Sequence, residues 1–264
     1  MNLIKRTAIV TGGTRGMGVA ITEAFLKKGM SVLAVYHARD DEAIKAKDTL
    51  AKFGDIRILK ADVSKKIEAE NAVAVAADLF GRIDVLVNNA GIFDFAYLEE
   101  MDEAFFDRIM NTNLKSAIFM IQAVIPYMKR NHYGRIANAT SISGQLADVG
   151  LTAYACSKAA LNLLTKVTSG ELAPYGITVN AYAPGIIHTE MTDSMIRERG
   201  ELQLKQIPAG YFGKSEEVGS LLGFLCSEEA SYITGEIIGI DGGMMKVQNP
   251  YRAYEFVKEF NKEE

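Results

Sequence analysis

The stretch Thr7-Ala8-Ile9-Val10-Thr11-Gly12-Gly13-Thr14-Arg15-Gly16-Met17-Gly18, followed by a helical pattern up to Lys28 and Gly29, decides the architecture. Small and β-branched residues in an unbroken run from Thr7 to Val10 read as a buried strand. Glycine then permits a tight turn into a helix over 16–28 that Gly29 closes. A strand delivered into a helix through glycine is the first unit of a parallel α/β sheet.

Outward from that unit the alternation repeats. Strands are predicted over 31–36, 56–60, 84–87, 135–139, 178–182 and 236–240, with helices over 41–53, 65–80, 153–172 and 215–225. The segment 99–129 reads as one long helix or two. Seven strands so separated predict an α/β fold, a single doubly wound Rossmann domain with a seven-stranded parallel sheet and helices on both faces. No Pro/Gly/Ser-rich linker interrupts residues 1–248, which read as one domain, and residues 249–264 read as an amphipathic tail. There Asn249-Pro250 resembles an N-cap and first helical residue. Tyr251, Tyr254, Val257 and Phe260 recur at helical spacing opposite Arg252, Glu255, Lys258, Glu259 and Lys262, as in a helix docked on this subunit or a neighbour.

Composition narrows the function. The 264 residues are 48% hydrophobic and 23% charged, which is globular. Lys and Arg number 29 against 33 Asp and Glu, a net charge of −4 that gives no basic surplus for nucleic acid. The two cysteines, Cys156 and Cys226, exclude a disulfide scaffold, and Cys156 is expected as a small buried packing residue. Met1-Asn2-Leu3-Ile4-Lys5-Arg6 lacks the apolar core of a signal peptide, and no run of residues is long and apolar enough to span a membrane. Three histidines without Cys/His spacing offer no metal site. A soluble, cytoplasmic protein is expected.

The glycine turn has the spacing G-x-x-x-G-x-G, from Gly12 through Gly16 to Gly18, where backbone can approach a pyrophosphate at a helix N-terminus. No Gly-Lys-Ser/Thr follows, so it is not a P-loop. Asn88-Asn89-Ala90-Gly91 closes the fourth strand with small and amide residues, at the sheet edge where ligands of open α/β sheets lie. Tyr154 and Lys158 are i and i+4, neighbours on one helix face. An ammonium beside a phenol favours the phenolate and makes the pair a general acid or base. Ser141, just past the fifth strand, could bind a carbonyl oxygen that Tyr154 protonates, with Thr140 and Ser143 as rivals on spacing alone.

In this order and spacing the motifs resemble the short-chain dehydrogenase/reductase family over residues 8–243. The resemblance includes the glycine turn, Asp62-Val63, Asn88-Asn89-Ala90-Gly91, Asn113 in Asn-Thr-Asn-Leu, Ser141, Tyr154 with Lys158, Pro184-Gly185-Ile186-Ile187-His188-Thr189 and Gly239-Ile240-Asp241-Gly242-Gly243. It implies that Tyr154 is the acid/base, that Lys158 lowers the tyrosine pKa and binds the nicotinamide ribose, and that Ser141 orients the substrate carbonyl. It implies further that Asn113 holds a relay water, Asp62 and Val63 flank the adenine, and Asn89 approaches the adenine ribose, beside Ala90 and Gly91. Gly12, Thr14, Arg15, Gly16, Met17 and Gly18 would cradle the pyrophosphate. Pro184, Gly185, Ile187 and Thr189 would meet the nicotinamide, the last two through its carboxamide.

Relatives that prefer NAD(H) end the second strand with an acid. Here that place is Tyr36, and Arg15, Arg39 and protonated His37 supply positive charge suited to a 2′-phosphate, so NADP(H) is expected over NAD(H). Asp40, Asp41 and Glu42 read as the acidic first turn of the next helix.

The pocket loops carry Phe93, Phe95 and Tyr97, then Gln145, Leu146 and Val149, then His188, Met191, Met195, Tyr211 and Phe212. This aromatic, Met-rich set fits an apolar ketone or secondary alcohol. The narrower forms of that activity are reduction of carrier-bound 3-oxoacyl thioesters and oxidation or reduction of hydroxysteroids. Carrier-dependent reductases often place arginine before the Gly-Ile of the sixth strand. This chain has Tyr175 there, with Lys129, Arg130 and Arg135 as the other basic candidates. An NADP-sensing binding protein is the non-enzymatic alternative. The family resemblance implies a homotetramer.

Overall fold

In the computed structural model, which describes residues 5–260, seven parallel strands form one sheet. They are β1 (Thr7–Thr11), β2 (Ser31–Tyr36), β3 (Ile56–Lys60), β4 (Val85–Asn88), β5 (Gly134–Ala139), β6 (Ile177–Pro184) and β7 (Ile237–Ile240). Their order is β3-β2-β1-β4-β5-β6-β7, so the winding reverses between β1 and β4. That reversal opens a crevice at the carboxyl ends of the two strands.

Alternation along the strands sorts the core onto two faces. Ala8, Val10, Val32, Ala34, Val85 and Val87 face α1 (Gly16–Lys27) and α8 (Ser215–Leu225), where Ile21, Phe25, Val218 and Leu222 cover them. Ile9, Leu33, Val35 and Leu86 face the opposite layer, packing with Val73 and Ala76 of α3 (Lys66–Phe80) and Met120 and Val124 of α5 (Ser116–Asn131). Both faces are covered, which is why these strands read as continuous apolar runs. Where α8 crosses α1, a Cβ on Gly219 would come within 2.6 Å of the Ala20 carbonyl oxygen, so glycine permits the close crossing.

The far end of the sheet is fastened electrostatically. Asp84 is fully buried and accepts from Arg6 at 3.1 Å, from Arg82 at 2.6 and 2.7 Å, and from the Thr7 amide at 2.9 Å. Arg6 also lies 3.6 Å from the centre of the Tyr133 ring.

The expected helices appear with shifted ends: α2 covers Asp40–Leu50 and α6 covers Thr152–Leu172. The segment 99–129 resolves into two helices, α4 (Glu103–Met110) and α5, joined by a π-helical turn at Asn111–Lys115. Asp102 caps α4 by accepting from the Phe105 amide at 2.7 Å. One helix was not expected: α7 (Asp193–Leu204). Its sequence, DSMIRERGELQL, shows no apolar stripe and contains Gly200, so periodicity does not reveal it.

The terminal segment departs from the expected cap. The helix α9 covers Tyr251–Phe260, but Asn249 takes a left-handed φ of 52° where a capping residue would be extended. Tyr254 donates to the Pro208 carbonyl at 2.7 Å, while Tyr251 and Val257 stay exposed. The side chains of Glu259 and Phe260, and the whole of Lys262, lie outside the described residues, as do residues 1–4.

Candidate active site

Thr11 and Asn89 stitch the two loops that flank the crevice. The Thr11 hydroxyl accepts from the amides of Asn89 and Ala90, both at 3.0 Å, and donates to the Val87 carbonyl. The Asn89 amide group donates to the carbonyls of Thr11 at 3.0 Å and Gly12 at 3.2 Å. Tyr182, buried in β6, donates to Asn89 Oδ1 at 3.0 Å. Thr11 opens the glycine turn that the sequence marks, but Tyr182 stands at no motif's distinctive position and is not announced by it.

The glycines of the turn have separate reasons. A Cβ on Gly12, at φ 62°, would press on Asn89 Nδ2 at 3.1 Å, and one on Gly18 would run into the Gly12 carbonyl. Gly16, at φ 50°, faces open space bounded only by the Thr189 methyl, 3.7 Å from where its Cβ would stand. The first turn of α1 has neither a side-chain cap nor an acidic residue. Unpaired amides at the positive end of a helix dipole, beside open space, fit a dinucleotide pyrophosphate. Thr14 is buried and Met17 packs against the core, so their side chains brace the turn.

At the other end of the crevice, charges of both signs meet beside Tyr36. Arg39 is paired with Glu42 at 2.9 Å and Glu190 at 2.7 Å, and Arg15 with the same two carboxylates at 3.5 and 3.4 Å. Glu42 therefore does more than begin α2. Asp40 is taken by Lys60 at 2.9 Å, which holds its carboxyl below the usual range. Burial pushes the Asp62 carboxyl up, but hydrogen bonds from the Ser64 hydroxyl and amide, aided by His37 and Lys65, outweigh it and leave the group below its ordinary value. Val63 is buried beside it.

The third cluster forms where α6 meets β4 and β5. Tyr154 and Lys158 lie one turn apart on α6, with the ammonium 5.6 Å from the centre of the phenol ring. Lys158 is 4% exposed, donates to the Ala139 carbonyl at 2.7 Å, and burial pulls its pKa down to about 8. The expected lowering of the Tyr154 pKa by Lys158 does not appear: burial raises it, against a smaller lowering by the Ser141 hydroxyl. Of the three hydroxyl rivals, Ser141 is thus the one acting on the phenol, whereas Thr140 donates to the Tyr182 carbonyl at 3.1 Å. Ser141 caps the 3-10 turn Ile142–Gly144 by accepting from the Ser143 amide at 3.1 Å.

The π-helical turn brings Asn113 inward, where it exchanges hydrogen bonds with the Ile92 amide and carbonyl at 2.8 and 2.9 Å and donates to Ser157 at 3.1 Å. A Cβ on Gly91 would stand 3.3 Å from Asn113 Oδ1 and 3.4 Å from Lys158 Nζ, so glycine lets the β4 loop touch both. Gly185 is pressed between β6 and Asp241 and accepts no Cβ, while Pro184 ends β6 and Ile187 is buried behind Thr189.

Of the expected pocket residues, Phe93 reaches this corner and several of the others are exposed. Phe93 stands edge-on to Tyr154, with centroids 5.2 Å apart, a contact the sequence did not announce. Phe95, Tyr97, Leu146, Val149, Met191 and Tyr211 are all exposed. Behind the loop after β6, Ile186, Ile207, Tyr211, Glu217 and Ile240 line a cavity of about 190 Å³.

Two expectations about single residues are corrected. Cys156 is exposed, because it falls on the outer side of α6; the buried cysteine is Cys226. Arg135 is only 4% exposed and spends its guanidinium on the carbonyls of Gly134, Gly176 and Ser227, so it is no docking residue. Lys129 lies 3.9 Å from the centre of the Tyr175 ring. Among the described residues no group of His, Cys, Asp or Glu could hold a metal, and no helix is long and apolar enough to cross a membrane.

A doubly wound parallel sheet, an uncapped glycine turn at its switch point, and a tyrosine and lysine on one helix face beside it define an oxidoreductase of Rossmann architecture. The family model described as enoyl-(acyl carrier protein) reductase matches residues 12–245. The chain is 40% identical over 247 residues to the 3-oxoacyl-[acyl-carrier-protein] reductase FabG of Thermotoga maritima, covering 93% of this chain and all of that one. The FabG of Vibrio cholerae is 38% identical over 94% of this chain and all of its own length. Among solved structures, a putative short-chain alcohol dehydrogenase from Sinorhizobium meliloti superposes with a TM-score of 0.89 at 33% identity, over 93% of this chain and 98% of that one. Levodione reductase does so with 0.88 at 28% identity, over 92% and 98%. The chain belongs to the short-chain dehydrogenase/reductase family.

Proposed function

We propose that the protein reduces the ketone of 3-oxoacyl thioesters to the 3-hydroxyacyl form, with NADPH as the electron donor. The observation that carries this reading is the convergence of Lys158 and Asn113 beside Gly91, with Tyr154 next to that lysine and in turn next to Ser141 and Phe93, in a chain so similar to 3-oxoacyl-[acyl-carrier-protein] reductases.

When bound, the nicotinamide supplies hydride to the carbonyl carbon. The protein's own part is the oxygen. Ser141 donates a hydrogen bond to the carbonyl, and Tyr154, kept as a neutral phenol by burial, gives its proton to that oxygen as negative charge develops there. Lys158, held by Ala139 against Gly91, places positive charge near the phenol as it loses that proton. Asn113 fixes the lysine's surroundings through Ile92 and Ser157 and would carry the relay water that restores the proton.

The residues that would hold the cofactor are Gly12, Thr14, Arg15, Gly16, Met17 and Gly18 at the pyrophosphate, and Tyr36, His37 and Arg39 at the 2′-phosphate. Asp62 and Val63 would meet the adenine, Asn89, Ala90 and Gly91 the riboses together with Tyr154 and Lys158, and Pro184, Gly185, Ile187 and Thr189 the nicotinamide. The absence of a carboxylate at Tyr36 and the neutralisation of Asp40 by Lys60 support NADP(H) over NAD(H).

Reduction of a free apolar ketone is the second reading. It is favoured by Tyr175 at the usual arginine position and by the burial of Arg135, which leave Lys129 and Arg130 to attract an acidic carrier. A cytoplasmic homotetramer is part of the proposal, supported by Leu163 and Val167, one turn apart and exposed on α6. The deciding experiment follows NADPH oxidation with acetoacetyl groups on acyl carrier protein, on coenzyme A and as a simple ketone of similar polarity. Turnover of the thioesters well above the ketone is expected. Inactivity on both thioesters with turnover of ketones would replace the first reading by the second.

A further inference from the structure

The carboxylate of Glu190 stands between two arginines at the mouth of the nucleotide crevice, yet it belongs to the other half of the molecule. Arg15 comes from the glycine turn and Arg39 from the N-cap of α2, where it holds a left-handed φ of 66°. Their guanidinium groups reach the two oxygens of Glu190 separately: Arg39 NH1 to Oε1 at 2.7 Å and Arg15 NH2 to Oε2 at 3.4 Å. These partners lie 151 and 175 residues away in sequence. Arg39 is the chief cause that holds the Glu190 carboxyl below its usual range.

Glu190 sits on a stiffened loop. The Thr192 hydroxyl donates to the Ile187 carbonyl at 2.7 Å and accepts from the Thr189 amide at 3.0 Å, so 187–192 is one hydrogen-bonded unit leading into α7. Thr189, the neighbour of Glu190, is the residue whose methyl bounds the open space over Gly16. One end of this unit therefore faces the pyrophosphate turn, and the other is tied to the arginine pair.

Resting on the NADP(H) reading above, the geometry points to Glu190 as a cofactor-discriminating residue: its carboxylate occupies the anion position of a nucleoside 2′-phosphate, and that phosphate must displace it to engage Arg15 and Arg39. A planar carboxylate bridging two guanidinium groups and a phosphate monoester offer those groups the same oxygens. Glu42 bridges the same two arginines, Arg39 at 2.9 Å and Arg15 at 3.5 Å, but it lies three residues from Arg39 in the same half of the molecule, so displacing it unties nothing between the halves. Displacing Glu190 instead unties the 187–192 loop from the nucleotide half. A nucleotide without the 2′-phosphate leaves the tie closed. The two ion pairs are solvent-exposed, so the competing interaction is modest and sensitive to salt.

The test uses adenosine 2′,5′-bisphosphate and ADP, which reach the arginine end without a nicotinamide. Calorimetry on the wild-type protein and on Glu190→Gln at low salt measures both affinities, with Glu190→Ala as a second variant. The ratio of affinities for the 2′-phosphorylated nucleotide over ADP is expected to rise at least about threefold in both variants, with ADP affinity itself little moved. Hydrogen exchange in 187–192 of the wild type is expected to quicken with the bisphosphate and not with ADP. An unchanged or lowered ratio, or a loop indifferent to the bisphosphate, overturns the assignment. Equal wild-type affinity for the two nucleotides instead removes the NADP(H) reading on which it stands.

Discussion

The ammonium of Lys158 donates to the carbonyl oxygen of Ala139 at 2.7 Å, tying α6 to the last residue of β5. The lysine is buried without a carboxylate to neutralise it, and its pKa falls to about 8. The proposed chemistry uses the charged form. As pH rises through about 8 the ammonium is lost, while burial keeps the Tyr154 phenol protonated. The rate of thioester reduction, measured as kcat/KM, is therefore expected to decline above pH 8, by roughly tenfold per unit at the steepest. A profile that stays level to pH 10 contradicts the role given to the lysine.

The same group makes stability depend on pH, and the sign is fixed by which state holds the proton. In the unfolded chain Lys158 keeps its ordinary 10.5, against about 8 when folded. Between those values the unfolded state binds the extra proton, so stability rises with pH across the window, and the full penalty applies below pH 8. Lys158→Met lacks this dependence. The stability of the wild type relative to that variant is expected to improve by about 3 kcal/mol between pH 7.5 and 10.5, read from urea unfolding at each pH. A constant difference would mean the folded lysine titrates normally.

Much of this architecture was legible because its causes are local. Ile9, Leu33 and Leu86 are flanked by other small apolar residues and covered on both faces, so each strand announces itself as an apolar run. Gly12 is a glycine for its left-handed φ of 62° and Gly18 for its closeness to the Gly12 carbonyl, reasons local to the turn itself. What stayed hidden depends on distant segments meeting. Nothing near Glu190 in sequence marks it as the partner of Arg15 and Arg39, and nothing near Phe93 marks its ring as the neighbour of Tyr154. The helix α7 is polar with a central glycine, and its place comes from packing such as Gly200 against Phe212. Arg135 looks like a surface charge in sequence because only the fold supplies the three carbonyls that hold it inside.

Asp84 provides a test of the fold away from the crevice, at the opposite end of β4 from Asn88. Its buried carboxylate balances Arg6 and Arg82 and caps the amide of Thr7. Asp84→Asn keeps the shape and removes the charge, leaving the partly buried Arg82 without its counter-ion and Arg6 with only the exposed Glu228, at 2.6 Å. A loss of about 3 kcal/mol is expected in urea unfolding at pH 7, the scale for breaking a buried pair from one side. A loss below about 1 kcal/mol would show that solvent satisfies Arg6 and Arg82 without the carboxylate.

The strongest demand falls on Tyr154, whose hydroxyl alone can give the proton. Tyr154→Phe preserves the ring that packs edge-on against Phe93 and leaves Lys158 bonded to Ala139. The fold and the nucleotide crevice should therefore survive, with NADPH affinity, measured by calorimetry, within a few-fold of the wild type. Turnover should not. Loss of a positioned general acid is expected to lower kcat by about 10²- to 10⁴-fold, with a much smaller change in KM. If the phenylalanine variant kept more than about a tenth of its rate, water or Ser141 would have to supply the proton, and the chemistry proposed for this corner would have to be assigned again.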